Sequence, residues 1–257
     1  MSSPSLSTTG EYVPDGIRRR LWTSARNEGL LTTGLSAAAW GASYLAGPRV
    51  ARARRGSTSF RLDGTEYPYL DSRHRWTWLN ERAVEVPVVA DALGRTPGAS
   101  VLELGNVLAQ YGHAGHRVID RYDTDPEVEN LDVLDLPPDP SYDLVISIST
   151  LEHVRWDERP QDPEAARKAV ECLKQQLSPG GRLLATIPVG YHPVLERQAV
   201  DGTAGFDRVV ALARTGKGNT WAEIAPEEAL ARPYDWLVYS AGAVLFAEFT
   251  RPGDGSP

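Results

Sequence analysis

The pattern of apolar and polar positions between Ser100 and Pro193 predicts strands that alternate with helices. Short apolar runs recur along this stretch, and each one is bounded by turn residues or polar residues. Because alternating strands and helices form a parallel sheet, we expect a ligand crevice at the carboxyl ends of the strands. The predicted strands cover residues 101–104, 116–120, 142–149 and 182–188, with a further acid-bearing strand within 130–137.

The clearest predicted helix begins at Asp162-Pro163. Asp is a favoured helix cap, and Pro is tolerated in the first turn, where its missing N–H removes no helical hydrogen bond. A turn of sequence Leu-Ser-Pro-Gly-Gly, at 177–181, leads from this helix to the next strand. The predicted apolar stripe of the helix consists of Ala166, Val170, Leu173 and Leu177.

Signals for further elements lie on both sides of this stretch. Asp63-Gly64, between alternating apolar and polar residues, predicts a β-hairpin. Asn80 predicts the cap of a helix that ends near Gly94, and we expect Pro87 to kink or restart it. Further along the chain, the pattern predicts a strand near 207–213, a helix around 226–231 and a last strand at 243–249.

Composition divides the chain into four regions. Residues 1–16 are rich in Ser, Thr, Gly and Pro and are predicted to be disordered. We expect residues 17–98 to form a helical and hairpin extension on the acceptor side, 99–250 a cofactor-binding domain and 251–257 a loose tail. Apolar residues recur at helical spacing within 29–47, among several hydroxyl residues, which predicts an amphipathic helix packed on the protein and not a membrane span.

Charge and cysteine content narrow the functional classes. The net charge is −7 and the pI is near 5.3, which gives no electrostatic support to a nucleic-acid partner. Residues 1–61 hold nine arginines against three acids, so this arm is +6 and the rest of the chain −13. We interpret the arm as solvated; contact with an anionic partner or a membrane surface is the alternative. The single cysteine, Cys172, cannot form an internal disulfide, so we predict a reducing, cytoplasmic setting.

Three acids follow predicted strands at positions suited to one nucleoside ligand. Glu103 lies near the end of the first strand, where a carboxylate can bind an ammonium group or an ordered water. Asp120 can accept both ribose hydroxyls, and Asp132 can accept the adenine amino group. Gly105 allows a sharp turn that brings backbone N–H groups close to a ligand. Each acid alone also suits a surface turn or a cap, but together they point to S-adenosylmethionine (SAM).

A nicotinamide dinucleotide is the competing ligand for such a crevice. Its fingerprint, G-x-G-x-x-G, requires glycines at positions 107 and 110. Those positions are Val107 and Gln110, and a valine side chain hinders the close approach of a pyrophosphate to the backbone. The sequence therefore favours SAM over a dinucleotide.

Three segments resemble the class I SAM-dependent methyltransferases, and in particular a branch encoded among sugar, polysaccharide and natural-product genes. The resemblance covers roughly residues 60–250. It implies a Rossmann-like α/β fold, with a mostly parallel seven-stranded sheet, helices on both faces and an N-terminal helical and hairpin extension. The segments are Leu102–Leu108, Ser147–Val154 and Thr186–Tyr191, and the upstream pattern is Trp78, Asn80–Arg82 and Val84-Glu85.

The chain departs from the resembled pattern in three places. Gly105 stands alone where the class usually has two or three glycines, and the segment between the first two strands is short. His192 occupies a position where the branch commonly has Asn. The first two departures bear on where the methionine part of SAM would lie.

The position of His153, just after the strand at 142–149, suggests a general base. His153 lies at the edge where the methyl group would point, and the ordinary pKa of His, about 6.5, suits a base. A capping or backbone-bonding role is the alternative, and Glu152 and His192 are the substitute bases. The candidate acceptor-site residues, which are equally suited to packing, are Trp156, Tyr191 and His192.

A larger set of residues is predicted to hold the cofactor. Arg82 could bind its carboxylate bidentately, or could pair with Glu81 or Glu85 on its own helix. The candidate cofactor-binding residues are Glu103, Gly105, Asn106, Asp120, Asp132, Ser149 and Arg82.

Together these features predict a cytoplasmic methyltransferase with a small-molecule acceptor. The predicted reaction is O-methylation of a hydroxyl on a glycosylated natural product or sugar precursor, with SAM as cofactor and S-adenosylhomocysteine as product. N- or C-methylation and a non-catalytic SAM-binding partner protein are the alternatives. No metal site is predicted, because Glu152, His153 and Asp157 lack tight ligand spacing. Membrane association is not expected, and a homodimer stays open.

Overall fold

The computed structural model describes residues 45–216, 218–235 and 240–253. The chain divides into two compact units, 1–47 and 48–257. The described part of the first unit, 45–47, belongs to a helix that covers 45–55 and is labelled α1. The predictions of a disordered tail, of helices before residue 45 and of a loose end after residue 253 lie outside the described residues.

A β-hairpin follows α1, as the sequence predicts. It pairs β1 (Ser59–Leu62) with β2 (Thr65–Pro68) in antiparallel register. Asp63 and Gly64, between the two strands, have φ values of 52° and 72°. Positive φ at both central positions is what a two-residue type I′ turn requires. The hairpin prediction is confirmed.

Helix α2 (Arg82–Gly94) contains Pro87 and does not restart there, so of the two predicted outcomes, a kink or a restart, the restart is wrong. A proline leaves the carbonyl four residues earlier without its helical partner, and here that carbonyl belongs to Ala83. The N–H of Leu70 donates to Ala83 O at 3.0 Å. This hydrogen bond from outside the helix satisfies the freed carbonyl, so the helix can continue.

The central sheet contains seven strands of the described chain. Their bounds are β3 Val101–Leu104, β4 Arg117–Ile119, β5 Tyr142–Ile148, β6 Leu177–Pro188, β7 Arg208–Gly216, β8 Thr220–Ile224 and β11 Ala243–Thr250. A separate antiparallel pair is formed by β9 (Tyr234–Asp235) and β10 (Ser240–Ala241). The strand and helix predictions after residue 188 are confirmed, because β7, β11 and a short helix α5 (Pro226–Ala229) lie where the pattern places them.

Strand order and direction confirm the predicted fold class. The order is β4-β3-β5-β6-β11-β7-β8. Strands β4, β3, β5 and β6 are parallel neighbours, β11 is antiparallel to β6 and β7, and β8 is antiparallel to β7. Five of these seven described strands therefore point in the same direction. This is the mostly parallel, seven-stranded α/β sheet that the sequence predicts.

The two faces of the sheet are covered by different parts of the chain. One face packs against the helices α3 (Ala165–Lys174), α4 (Pro193–Val200) and α5. The other face packs against α2 and the hairpin. Alternate residues of β5 enter the two cores, Val145 on the α3 side and Ile146 on the α2 side. No helix of the described residues is long and apolar enough to cross a membrane.

The prediction of a strand within 130–137, the segment that contains Asp132, is wrong. The segment contains a 3₁₀ turn, Val133–Asp135. Just before it, Glu129 forms an isolated parallel β-bridge with Ile119, the last residue of β4. Asp132 Oδ1 accepts the Leu134 N–H at 3.0 Å, which stabilises the turn in place of a strand. Two consecutive prolines, at 137 and 138, also lack the N–H groups that a strand ladder needs.

Leu177 does not belong to the apolar stripe of α3, contrary to the prediction, because it begins β6. The predicted Pro-Gly-Gly turn is part of that strand. At Gly181, an added Cβ would lie 2.7 Å from Tyr142 O, so a side chain would push β6 away from the start of β5. The remaining predicted residues of the stripe are buried in the core.

We predict that Ile146→Ala destabilises the protein by about 2–5 kcal/mol, because it leaves a cavity at the centre of β5, where Ile146 is fully buried. Val50→Ala on α1, where the side chain is 40% exposed, is the control and should change stability by less than about 0.5 kcal/mol. Urea unfolding of the two variants and the wild type measures both values. Equal losses in the two variants would contradict the assignment of the core.

Candidate active site

The carboxyl ends of β3, β4 and β5 lie side by side at one edge of the sheet. Leu104 is in register with both Ile119 and Ser147. The next residue, Gly105, donates its N–H to Ile119 O at 2.9 Å. Since the loops after these strands start from this edge, the segments that carry most of the predicted site residues meet here. Those residues are Glu103, Gly105, Asn106, Asp120, Asp132, Ser149, Glu152, His153 and Trp156.

Glu103 is fully buried and stabilises the turn that follows β3. Its Oε1 accepts the N–H groups of Val107 and Leu108, each at 3.0 Å. Its Oε2 lies 2.7 Å from His116 Nε2. Three donors therefore occupy a carboxylate that the sequence assigns to a ligand ammonium group. His116 and the two loop amides are partners that the strand pattern could not reveal.

Gly105 is required by the turn and by its neighbour Thr150. Its φ is 87°, a conformation that favours glycine. An added Cβ would lie 2.9 Å from Thr150 Cγ2 and closer still to Thr150 Oγ1. The next residue, Asn106, donates from Nδ2 to Asp123 Oδ2 at 3.1 Å. Its Oδ1 is buried and has no hydrogen-bond partner within the described residues, so it can accept a donor from a ligand.

The carboxylates of Asp120 and Asp132 differ in how many of their oxygens already accept hydrogen bonds or ion pairs from the protein. Asp120 Oδ1 accepts the N–H groups of Tyr122 (2.7 Å) and Asp123 (2.9 Å), and within the described chain its Oδ2 accepts no hydrogen bond. Asp132 Oδ2 lies 2.5 Å from Arg155 Nη2 and 3.0 Å from Arg121 Nη1. Asp120 is therefore open to a hydroxyl donor, whereas Asp132 is paired with two guanidinium groups.

Ser149 and Arg82 join the end of β5 to helix α2. Ser149 Oγ donates to Glu85 Oε1 at 2.5 Å. Arg82 Nη1 donates to Ile148 O at 2.9 Å and lies 3.3 Å from Glu85 Oε2. Arg82 thus forms the ion pair on its own helix that was the alternative to cofactor binding. Glu85 is fully buried and binds both Ser149 and Arg82, but it was not among the predicted site residues.

His153 forms a pair with Asp157 in the loop after β5. Its Nδ1 lies 2.6 Å from Asp157 Oδ2, and the Tyr191 hydroxyl donates to Asp157 Oδ1 at 2.8 Å. Burial opposes a charge on His153, but the hydrogen bond to Asp157 and the negative charge of Asp157 outweigh it and raise the pKa of His153 above 6.5. The side chain is 47% exposed, so a ligand can reach its ring. The sequence analysis did not predict this pair; the four-residue spacing of His153 and Asp157 is the signal that could have indicated it.

Glu152 is almost fully buried and is not fully paired. Its Oε1 lies 3.8 Å from His153 Nε2, and its Oε2 has no hydrogen-bond partner in the described part of the chain. Burial raises the pKa of Glu152 to about 8, against the lowering effect of nearby His153 and Arg82. Glu152 therefore holds a proton at neutral pH in the folded protein.

His192 is fully buried at the start of α4 and stacks on Trp156, with ring centroids 4.0 Å apart. Its Nδ1 accepts the Leu195 N–H at 3.1 Å, and burial lowers its pKa. The neutral ring therefore carries its proton on Nε2. Neither nitrogen is free to take a proton, so His192 suits packing and capping better than general-base chemistry. Tyr191 lies beside His153, at a centroid distance of 4.7 Å.

Two cavities of the described structure lie away from this edge. One, of about 50 Å³, lies between the hairpin and the sheet and is lined in part by Asp63, Tyr67 and Arg208. The other, open and about 470 Å³, lies beside β7 and β8. Neither is lined by a candidate site residue. Among the described residues, no group of three or more His, Cys, Asp or Glu side chains could hold a metal ion.

We predict that Glu152→Gln changes how stability depends on pH. Between pH 4.5 and about 8, the folded state keeps a proton on Glu152 that the unfolded state has lost, so wild-type stability falls as pH rises through this range. The glutamine variant lacks this loss and should gain a few kcal/mol relative to wild type by pH 8, at about 1.4 kcal/mol per pKa unit.

Urea unfolding of both proteins from pH 5 to pH 8.5 measures this difference. Glu171→Gln, on the exposed side of α3, is the control and should follow the wild-type curve. Parallel curves for wild type and Glu152→Gln would contradict a buried, protonated Glu152.

Comparison with known proteins gives a similarity in fold. No family model and no curated protein matches the chain. Matching solved structures include the N-methyltransferase NodS of Bradyrhizobium japonicum bound to S-adenosyl-L-homocysteine (15% identity, TM-score 0.42, 67% of this chain and 87% of that one). A SAM-dependent methyltransferase of Methanosarcina mazei also matches (15% identity, TM-score 0.37, 65% of this chain and 98% of that one). So does the magnesium protoporphyrin IX methyltransferase of Synechocystis with bound SAM (19% identity, TM-score 0.35, 64% of this chain and 76% of that one). At these identities and TM-scores, the similarity concerns the arrangement of strands and helices alone.

Proposed function

We propose that the chain is a SAM-dependent methyltransferase that methylates a hydroxyl group of a small molecule. The observation that carries this proposal is the His153–Asp157 pair, at the same sheet edge as Asp120 and the Gly105 turn. A methyl transfer to oxygen needs a proton acceptor beside a bound methyl donor. His153 and Asp120, the proposed base and nucleoside acceptor, lie on the loops after β5 and β4, the two strands that flank β3.

The residues present fit SAM at two of its three parts. The open Oδ2 of Asp120 suits a ribose hydroxyl. The buried, unpartnered Oδ1 of Asn106 suits the ammonium group of the methionine part. Asp132 suits the adenine amino group in chemistry, but it is paired with arginines. When bound, SAM supplies an electrophilic methyl group on a sulfonium.

The protein's own groups can remove the proton from the acceptor hydroxyl. Asp157, whose pKa is lowered by its hydrogen bond to His153 in spite of burial, is ionised and accepts the Nδ1–H. The lone pair of His153 is therefore on Nε2, which takes the hydroxyl proton as the oxygen–methyl bond forms. The resulting imidazolium lies between the Asp157 and Glu152 carboxyl groups.

We further propose a glycosylated compound or sugar precursor as the acceptor. The rings of Tyr191 and Trp156 lie beside His153 and His192, and Tyr191 also contacts Tyr234 at a centroid distance of 5.5 Å. Aromatic side chains combine a flat apolar face with a polar edge, which suits the mixed apolar and hydroxyl surface of a sugar. Such a molecule supplies aliphatic hydroxyls, for which a base is needed.

The test is a methyl-transfer screen that detects S-adenosylhomocysteine, with glycosides, sugar nucleotides and matched amines as acceptors. We expect turnover with a hydroxyl acceptor and binding of SAM, but not NAD, by calorimetry. Turnover with amines alone would replace O-methylation by N-methylation. Binding of SAM without turnover of any acceptor would favour a non-catalytic partner protein.

With an acceptor in hand, we predict that His153→Ala lowers kcat by about 10²–10⁴-fold, the usual contribution of a general base. His113→Ala, at a half-buried histidine outside this loop, is the control and should retain wild-type kcat. SAM binding, measured by calorimetry, should be similar in both variants. Wild-type turnover in His153→Ala would remove the base assignment without affecting the fold.

We also predict a pH effect of Asp157. Because Asp157 raises the pKa of His153, the wild-type rate should rise with pH through a value above 6.5, as the neutral base forms. Asp157→Asn removes this effect, so the rising limb should move to lower pH while the plateau rate falls about tenfold. A kcat–pH profile of both proteins measures the shift, and unchanged profiles would contradict the pair.

A further inference from the structure

A cluster of charged side chains joins the predicted adenine-binding acid to the loop that carries His153. Arg155 Nη2 donates to Asp132 Oδ2 at 2.5 Å, and Arg155 Nη1 donates to Glu158 Oε2 at 2.9 Å. Arg121 Nη1 lies 3.0 Å from Asp132 Oδ2 and 2.8 Å from Glu158 Oε1. We call Arg121, Asp132, Arg155 and Glu158 the Arg155 cluster.

The Arg155 cluster occupies the oxygen atoms that an adenine amino group would need. Asp132 Oδ2 receives both guanidinium groups, and Oδ1 accepts the Leu134 N–H at 3.0 Å. The Asp132 side chain is only 11% exposed. An amino group is a donor and requires an acceptor lone pair that a ligand can reach. Adenine must therefore compete with an arginine for Asp132.

Arg155 is the member of the cluster whose movement would affect the base. Its φ is 55°, a left-handed conformation that a non-glycine residue keeps only when its surroundings hold it. Its carbonyl accepts the Asp162 N–H at 3.2 Å, and the next residue, Trp156, donates its N–H to His153 O at 3.1 Å. Release of the Arg155 side chain from Asp132 therefore loosens the segment that contains His153 and Asp157.

We propose that Arg155 competes with the adenine ring of SAM for Asp132 and thereby couples cofactor binding to the position of the His153 loop. This inference rests on the proposed function. In the described state, Arg155 holds the loop on Asp132. With the cofactor bound, Asp132 accepts the adenine amino group, Arg155 keeps its bond to Glu158, and the loop that bears His153 takes a new position.

Two ligands that differ at one group test the competition. S-adenosylhomocysteine carries the amino group that requires Asp132, whereas S-inosylhomocysteine carries an oxygen there and requires no acceptor. Arg155→Asn removes the guanidinium group and keeps a residue type that tolerates positive φ. Arg167→Asn, which removes an exposed ion pair with Glu164 on α3, is the matched control.

Calorimetry should show about two- to fivefold tighter binding of S-adenosylhomocysteine by Arg155→Asn than by wild type, the size expected for loss of a partly exposed ion pair. S-inosylhomocysteine should not bind more tightly to the variant, and Arg167→Asn should match wild type with both ligands. Raising salt from about 0.05 M to about 0.5 M should strengthen S-adenosylhomocysteine binding to wild type more than to Arg155→Asn, because salt screens the Arg155 cluster and the variant keeps only the Arg121 pairs.

The coupling itself has a separate readout. In wild type, adding S-adenosylhomocysteine should shift the NMR signals and the pKa of the His153 ring, and in Arg155→Asn the ring should already show most of this shift. If Arg155→Asn does not fold, Arg155→Gly, which suits the same positive φ, replaces it in every measurement.

The failures are distinguishable. Equal S-adenosylhomocysteine affinity in wild type and Arg155→Asn, or tighter binding of both ligands by the variant, would overturn the competition for Asp132 and leave the proposed function standing. A His153 ring that does not respond to the ligand would overturn the coupling. No binding of S-adenosylhomocysteine by either folded protein would overturn the proposed function and this inference together.

Discussion

The candidate site depends on the conformation in which the chain leaves β5. Ser149 has a φ of 41°, which costs a non-glycine residue about 1–2 kcal/mol. Two interactions hold it there: its hydroxyl donates to Glu85 Oε1 at 2.5 Å, and its N–H donates to Thr186 O and Oγ1, both at 3.1 Å. A hydrogen bond to a charged group contributes about 1.5–3 kcal/mol, which offsets the strain. Because Ser149 turns the chain here, β5 ends at Ile148 and the loop that carries His153 begins.

The buried carboxyl groups of the site differ in their hydrogen bonding. Glu103 and Glu85 have partners on both oxygens, whereas Glu152 has one oxygen without a partner among the described residues. Glu103 receives two loop N–H groups and His116, and Glu85 receives Ser149 and Arg82, so both act as supports for the turns that they join. A buried charge persists only when it is paired in this way. Glu152 lacks a partner for one oxygen, and its pKa rises to about 8. Its proton, and not a salt bridge, is what makes its burial tolerable.

The sequence predicted most of the fold because the deciding interactions are short-range or periodic. Apolar runs identify β3, β5 and β6, and Asp63-Gly64 identifies the hairpin, since these signals depend on neighbouring residues alone. The failures depend on distant partners. Helix α2 passes Pro87 because the N–H of Leu70, outside the helix, satisfies Ala83 O. The strand expected within 130–137 is replaced by a turn that the carboxylate of Asp132 caps.

The candidate site was predictable in position but not in pairing. Strand β4 ends at Ile119, so the sequence alone locates Asp120 at the sheet edge, whereas Asp132 lies in the segment after β4, where a strand was predicted and a 3₁₀ turn is found. Whether their carboxylate oxygens are free for a ligand depends on which long side chains from other segments reach them. Arg155 spans the distance from the loop after β5 to Asp132, and no spacing in the sequence indicates this contact. The sequence therefore predicts which groups surround a ligand better than it predicts which groups are free to bind one.

The loop after β5 combines two tasks that are usually assigned to separate parts of a binding site. It carries His153, which is the base in the proposed function, and Arg155, which pairs with Asp132. Only Val154 separates His153 from Arg155, so a change in the contact between Arg155 and Asp132 also changes the surroundings of His153. Under the proposed competition, His153 reaches its final position only after adenine has displaced Arg155. An acceptor that needs this base would then bind productively second, which protects the hydroxyl from activation in the absence of a methyl donor.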